Sequence, residues 1–240
     1  MNKKLFNSLY YFVNILKRKI KSKKEYYSLT CADALVNYIF KNKKKGFYVD
    51  VGCNHPIYNN NTYLLFKRGW GGINIDLDKK NIELFEHARK KDFNVHAAVS
   101  SKVGEKNLFF YHDKSPINTL SNEASSFQKA EVKEVKKIKT RTLDDIIKES
   151  PFKDEKIDFL SIDVEGHEKE VLEGFDINRY SPKIVVIEYL DLTLKKLEIK
   201  NLNIDNVIKS DLYNYMINNN YNLVNWVHSD LVFSNKNFRD

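Results

Sequence analysis

Three apolar stretches of the chain each end on an acid: Phe47-Tyr48-Val49-Asp50-Val51-Gly52, Phe159-Leu160-Ser161-Ile162-Asp163-Val164-Glu165-Gly166-His167-Glu168, and Ile184-Val185-Val186-Ile187-Glu188-Tyr189. A continuous apolar run of strand formers predicts a parallel strand buried on both faces. Parallel strands present their carboxyl ends at one edge, where open α/β sheets hold ligands. Asp50, Asp163 and Glu188 are therefore expected to converge on a single crevice. A carboxylate there needs donors, which a ligand's hydroxyl or ammonium groups would supply. For Asp50 taken alone, a helix cap or a bonded loop amide explains the residue equally well. Gly52 would let the backbone approach a bound group or adopt a positive φ. Asp163, Glu165, His167 and Glu188 are the groups that could hold or move a proton, and the imidazole titrates near neutrality. A solvent-facing place in the first turn of the next helix is an equal alternative for His167.

A fourth acid follows Gly71-Gly72-Ile73-Asn74-Ile75. Asp76, the first choice, and Asp78, the second, lie 24 and 26 residues beyond Gly52. At that separation a dinucleotide-type fold sets a carboxylate on the ribose hydroxyls of its cofactor. The loop Gly52-Cys53-Asn54-His55-Pro56-Ile57 has one glycine, so it lacks the glycine pattern that seats a pyrophosphate on a helix N-terminus. A nicotinamide cofactor is thereby disfavoured. The loop suits a ligand with a cationic amino acid part, a ribose and an adenine, and S-adenosylmethionine has these parts.

The elements that would position these residues alternate between strand and helix. A helix over about 28–42 leads into the first strand; a short helix over 61–68 stops at Gly69. The second strand closes on Asp76, residues 79–91 read as a helix, and Asn94 to Ser100 as a third strand. Residues 105–113 alternate like an antiparallel edge strand, and 115–137 read as a polar, partly helical excursion. A short strand from Lys139 leads into a helix capped at Thr142. After the strand ending at Glu188 come a helix near 205–218 and an antiparallel hairpin through 222–226 and 231–233.

At 240 residues the chain can form one sizeable α/β domain. Its two cysteines, Cys31 and Cys53, support neither a disulfide framework nor a zinc site, which makes a reducing cytoplasm the expectation. Residues 1–45 carry twelve basic and two acidic residues, a net charge of +10, and the rest of the chain sums to −2. The division is thus a basic helical arm over 1–45 and a catalytic domain over 46–240 with an excursion at about 101–137. Nucleic acid is not expected as a partner, because the basic character does not belong to the catalytic body. The apolar run at 5–16 is too short to span a bilayer and lacks a signal-peptide cleavage site. A helix packing on its own domain or on a second subunit is the favoured explanation; peripheral contact of residues 1–24 with an anionic membrane surface is the alternative.

The strand–acid–glycine stretches, with Asn61-Thr62, Gly69 to Asp76, Ala97-Ala98-Val99-Ser100, Thr119-Leu120 and Ile187-Glu188, resemble the FkbM-type methyltransferases. This likeness runs from about Phe47 to Tyr189. It implies a class I Rossmann-like methyltransferase fold: an α/β, mostly parallel sheet with helices on both faces. It also implies an S-adenosylmethionine-dependent O-methyltransferase acting on a hydroxyl of a sugar, nucleotide sugar or surface glycan. By the same resemblance Asp50, Gly52 and Asn54 would hold the amino acid end of the cofactor and Asp76 its ribose, and Ala97 and Ala98 would line the adenine pocket. His55, Asn61, Thr62 and Asp163 complete the expected cofactor contacts. The chain departs from the common pattern at Asp76-Leu77, where Glu-Pro is frequent, and at His167, where a small residue is frequent. The carboxylates could also bind Mg²⁺, but nothing in their spacing demands a metal and none is assigned. An RNA or protein methyltransferase anchored by the arm, and a non-catalytic binding scaffold, are the competing possibilities.

Overall fold

The computed structural model describes residues 3–13, 25–194 and 202–238. Much of the expected basic arm, including the lysine cluster at 17–24, lies outside them. A seven-stranded sheet is built from β1 (Phe47–Val51), β2 (Gly71–Asp76), β3 (Phe93–His96), β7 (Phe159–Ile162), β8 (Ile184–Glu188), β9 (Tyr221–Val227) and β10 (Asp230–Asn235). Its order is β3-β2-β1-β7-β8-β10-β9. The strands are parallel apart from β10, which runs antiparallel to both β8 and β9. This is the expected Rossmann-like architecture with its antiparallel C-terminal hairpin.

Alternate residues of the central strands feed two separate cores. Val49, Leu160, Val185 and Leu231 pack on one face with α6 (Leu143–Glu149), α7 (Glu168–Glu173), α9 (Ile204–Lys209) and α10 (Asp211–Asn218). Tyr48, Phe159, Val186 and Val232 pack on the other with α2 (Ala32–Ile39) and α3 (Tyr63–Lys67). Burial on both faces is the reason these strands read as unbroken apolar runs rather than alternating ones. The short α8 (Ile177–Tyr180) adds Ile177 to the first core, and α4 (Lys79–Ala88) packs Ile82 and Phe85 with Cys53 in a separate small cluster.

The third strand is shorter than expected. β3 stops at His96, where the Ala97 amide still donates to the Asp76 carbonyl at 2.9 Å. Residues Ala98–Val99 then leave the main sheet as β4. They join a second sheet of order β4-β6-β5, with β5 at Gly104–Phe110 and β6 at Glu134–Arg141. The excursion is therefore a sheet decorated by α5 (Asn122–Phe127), whose cap is Ser121 accepting from the Ala124 amide. Much of β6 falls in the stretch expected to be irregular. Its lysines are poor strand formers, but a full antiparallel ladder with β5 overrides that propensity. The helix expected over 205–218 is two, α9 and α10, because the Ser210 hydroxyl accepts from the Tyr213 amide and starts a new helix there.

In α1 (Lys3–Tyr11) the apolar side chains Leu5, Phe6, Leu9 and Tyr10 are each more than half exposed. Among the described residues no helix is long and apolar enough to cross a membrane.

Candidate functional site

The first strand delivers its acid below the surface. Asp50 is 3 % exposed, and its Oδ2 accepts from the Thr62 hydroxyl at 2.8 Å and from Asn60 Nδ2 at 3.1 Å. Behind them lies Arg89, fully buried, whose guanidinium donates to Thr62 Oγ1 at 2.8 Å, to Asn60 Oδ1 at 2.7 Å and to the Pro56 carbonyl. Burial pushes the Asp50 carboxyl up, and the Arg89 charge opposes that shift. Asp50 and Thr62 thus knit the loop after β1 from beneath, and they do not line the crevice above it. His55 is engaged within the same loop, its Nδ1 accepting from the Ile57 and Tyr58 amides. Like Ala98, it lies outside the crevice lining.

Gly52 has φ +80, and a side chain there would place Cβ 1.7 Å from the Asp163 carbonyl oxygen. The glycine is needed because the ends of β1 and β7 meet, not because a ligand passes. The Asp163 amide donates to the Val51 carbonyl at 2.9 Å in the same contact.

Above these strand ends opens a crevice of about 1070 Å³ of empty space, lined by Gly52, Asn54, Asn61, Asp76, Ala97, Asp163, Glu165, His167 and Glu188 among others. Nine of the sequence-expected residues therefore meet at one place. Asp76 accepts from the Asn54 amide at 2.8 Å and from the Asp78 amide at 2.7 Å, and burial raises its pKa to about 6. Asp78 lines the same crevice and is bonded in the same way: it caps α4 through the Lys80 amide and also accepts from the Lys114 amide. Asn61 Nδ2 donates to the Ser161 hydroxyl at 3.1 Å, tying the crevice floor between the first loop and β7.

At the other end, Asp163, Glu165 and Glu188 bring carboxylate oxygens within 4.8 Å of one another. Burial raises all three, helped at Asp163, which reaches about 7, by the charge of Asp230, and at Glu165 and Glu188 by the charge of Asp163. A hydrogen bond joins Asp163 and Glu188; it lowers the Asp163 pKa and raises that of Glu188, so Glu188 is the donor of the pair. The same oxygens are of the type that a hard cation takes. Glu165 is placed by strain: φ +57 for Glu165 and +89 for Gly166 make a left-handed turn. The turn is fixed by Glu168 Oε1, which accepts from the Val164 and Gly166 amides, and by the Thr119 hydroxyl, which donates to the Glu165 carbonyl at 2.7 Å. Outliers of this kind are kept where the surroundings over-determine them.

His167 does not face solvent. It is 3 % exposed, with Nε2 3.0 Å from Ser100 Oγ and Nδ1 3.5 Å from Glu170, and burial lowers its pKa from the ordinary imidazole value, which the Glu170 charge opposes. Both ring nitrogens thus have partners within the protein.

Two elements add residues that sequence reasoning missed. Asp230 heads β10 opposite Glu188, and its carboxylate accepts from Thr30. An antiparallel strand brings its first residue to the edge where parallel strands bring their last, and that rule could have found Asp230. The segment before α2 supplies Leu29 and Thr30 to the lining, for which the sequence carries no signal. Among the described lining residues there are six carboxylates (Asp76, Asp78, Asp163, Glu165, Glu188 and Asp230) and no lysine or arginine. That donor set fits a ligand whose net charge is positive, as a sulfonium nucleoside with an ammonium group is. It would repel a pyrophosphate.

Residues 50–221 match the family model described as the methyltransferase FkbM domain. Searches of curated proteins and of solved structures returned no match.

Proposed function

Because the chain belongs to the FkbM methyltransferase family, and so uses S-adenosylmethionine, we propose that its crevice methylates a hydroxyl oxygen of a sugar or surface glycan. The observation that carries this reading is the acid-lined crevice at the carboxyl edge of the sheet, free of basic side chains among the described residues. Nothing in that lining would pair with the phosphates of a nucleotide sugar, so a neutral glycan suits it better.

The bound sulfonium supplies the methyl group and a good leaving group. The chain's own residues supply position and proton handling. Asp76 would accept from the ribose hydroxyls, and Asn54, whose amide is held by Asp76, would hold the amino acid part. Asp163, raised to about 7, is the base: a carboxyl poised near the working pH takes the acceptor's hydroxyl proton as the new C–O bond forms. Glu188, whose own carboxyl burial and the Asp163 charge push up, donates to Asp163 and favours its anionic, proton-accepting form. His167, with both nitrogens occupied, positions the turn that carries Glu165.

Mass spectrometry of surface polysaccharides tests the acceptor. A strain lacking the gene should lose one O-methyl group, restored by the wild-type gene and not by Asp163→Asn. Unchanged glycan methylation in the deletion strain would remove the glycan from consideration.

A further inference from the structure

Ser115 is 4 % exposed, lines the crevice, and its hydroxyl has no hydrogen-bond partner. A buried hydroxyl left unpaired is destabilising, so an uncompensated one in the wall of a ligand crevice points to a group that arrives with the ligand. Its loop is built to hold it there. The Lys114 amide is bound by the Asp78 carboxylate, Lys80 and Asp113 pair at 2.5 Å, and Asn118 ties the Tyr111 amide at 2.9 Å to the His112 carbonyl at 3.0 Å. The tethers nearest Ser115, at Asp113 and Lys114, run to the start of α4, immediately after β2, while farther along the Thr119 hydroxyl bonds the Glu165 carbonyl. Ser115, next to Lys114 whose amide is held by Asp78, therefore stands at the end of the crevice that follows β2.

We propose that the Ser115 hydroxyl is a hydrogen-bonding contact to the adenosine part of S-adenosylmethionine, carried on a loop that forms the outer wall of that subsite. The neighbouring lining, Leu77, Ala97 and Pro116, is apolar and suits the faces of a flat base. Asp76 is taken by the ribose, which leaves the adenine edge for Ser115. This inference rests on the crevice being the cofactor site.

Calorimetry with S-adenosylhomocysteine and with 5′-methylthioadenosine, which lacks the amino acid part, tests it on wild type and Ser115→Ala. Both ligands should bind the variant roughly threefold to tenfold more weakly, the range of one hydrogen bond. The thermal midpoint of the ligand-free variant should be unchanged or higher, since an unpaired hydroxyl has been removed. Equal affinities, or a loss confined to S-adenosylhomocysteine, would overturn the assignment, as would a lowered ligand-free midpoint with affinity intact. If wild type bound neither ligand, the cofactor site itself would be misplaced; that result is distinct from binding that ignores residue 115.

Discussion

Asp76, Asp163 and Glu168 must carry charge in surroundings that oppose it. Burial raises Asp76 from 3.8 to about 6, Asp163 from 3.8 to about 7 and Glu168 from 4.5 to about 7. Asp163→Asn should therefore raise the thermal midpoint of the ligand-free protein at pH 8 by a few degrees, on a scale of about 2–4 °C per kcal/mol for this size. The same change should lower kcat by about 10²–10⁴ with cofactor affinity kept. A fall in both midpoint and affinity would give Asp163 a structural role instead. Asp50 behaves oppositely: Asp50→Ala removes the anion that balances fully buried Arg89, and should destabilise the protein by about 3–5 kcal/mol in urea unfolding. A loss of cofactor affinity at unchanged stability would return Asp50 to the cofactor. The sequence announced Asp50, Asp76 and Asp163, because each ends an apolar run, but not Glu168, which follows a glycine and a histidine. It did not show which would be enclosed, because Arg89 lies on a distant helix end with nothing in its neighbourhood to mark a buried cation.

Strands buried on two faces were legible from composition alone. β1, β7 and β8 are continuous apolar runs, and the acids at their tips mark where burial ends. Leu160, fully buried in β7, should show this in its energetics: Leu160→Ala is expected to cost about 2–5 kcal/mol in urea unfolding. A cost under about 1 kcal/mol would mean that β7 is not the centre of the core. β6 was not legible, since Lys136, Lys137 and Lys139 hide a strand whose pairing with β5 comes from distant sequence. The cationic Lys136 lies 3.8 Å from the centre of the Phe110 ring, a contact that only the ladder creates. The break at Ala97, which sends β4 into the second sheet, likewise depends on a partner more than forty positions along the chain.

For the whole molecule, raised carboxyls set the dependence of stability on pH. A carboxyl whose folded pKa exceeds its unfolded value binds protons more tightly when folded, so unfolding becomes easier as pH rises through that interval. For Asp76 the interval is 3.8 to about 6, and for Asp163 3.8 to about 7. Ligand-free protein should thus lose stability between about pH 4 and 7 from these groups. Scanning calorimetry that found stability rising through this window would show the cluster to be neutralised. The arm is a separate matter. Deleting residues 1–24 should abolish any binding to anionic liposomes, while unchanged binding would end the membrane hypothesis for the exposed face of α1.

The central claim is that the acid-tipped strands form one sulfonium-nucleoside site with Asp76 as the ribose anchor. Titration calorimetry of S-adenosylmethionine into wild type and Asp76→Asn measures it directly. Saturable binding to the wild type, weakened about tenfold or more in the variant and falling as pH drops through 6, is the expected result. No heat with the wild type, or equal affinity in the two proteins, would contradict it.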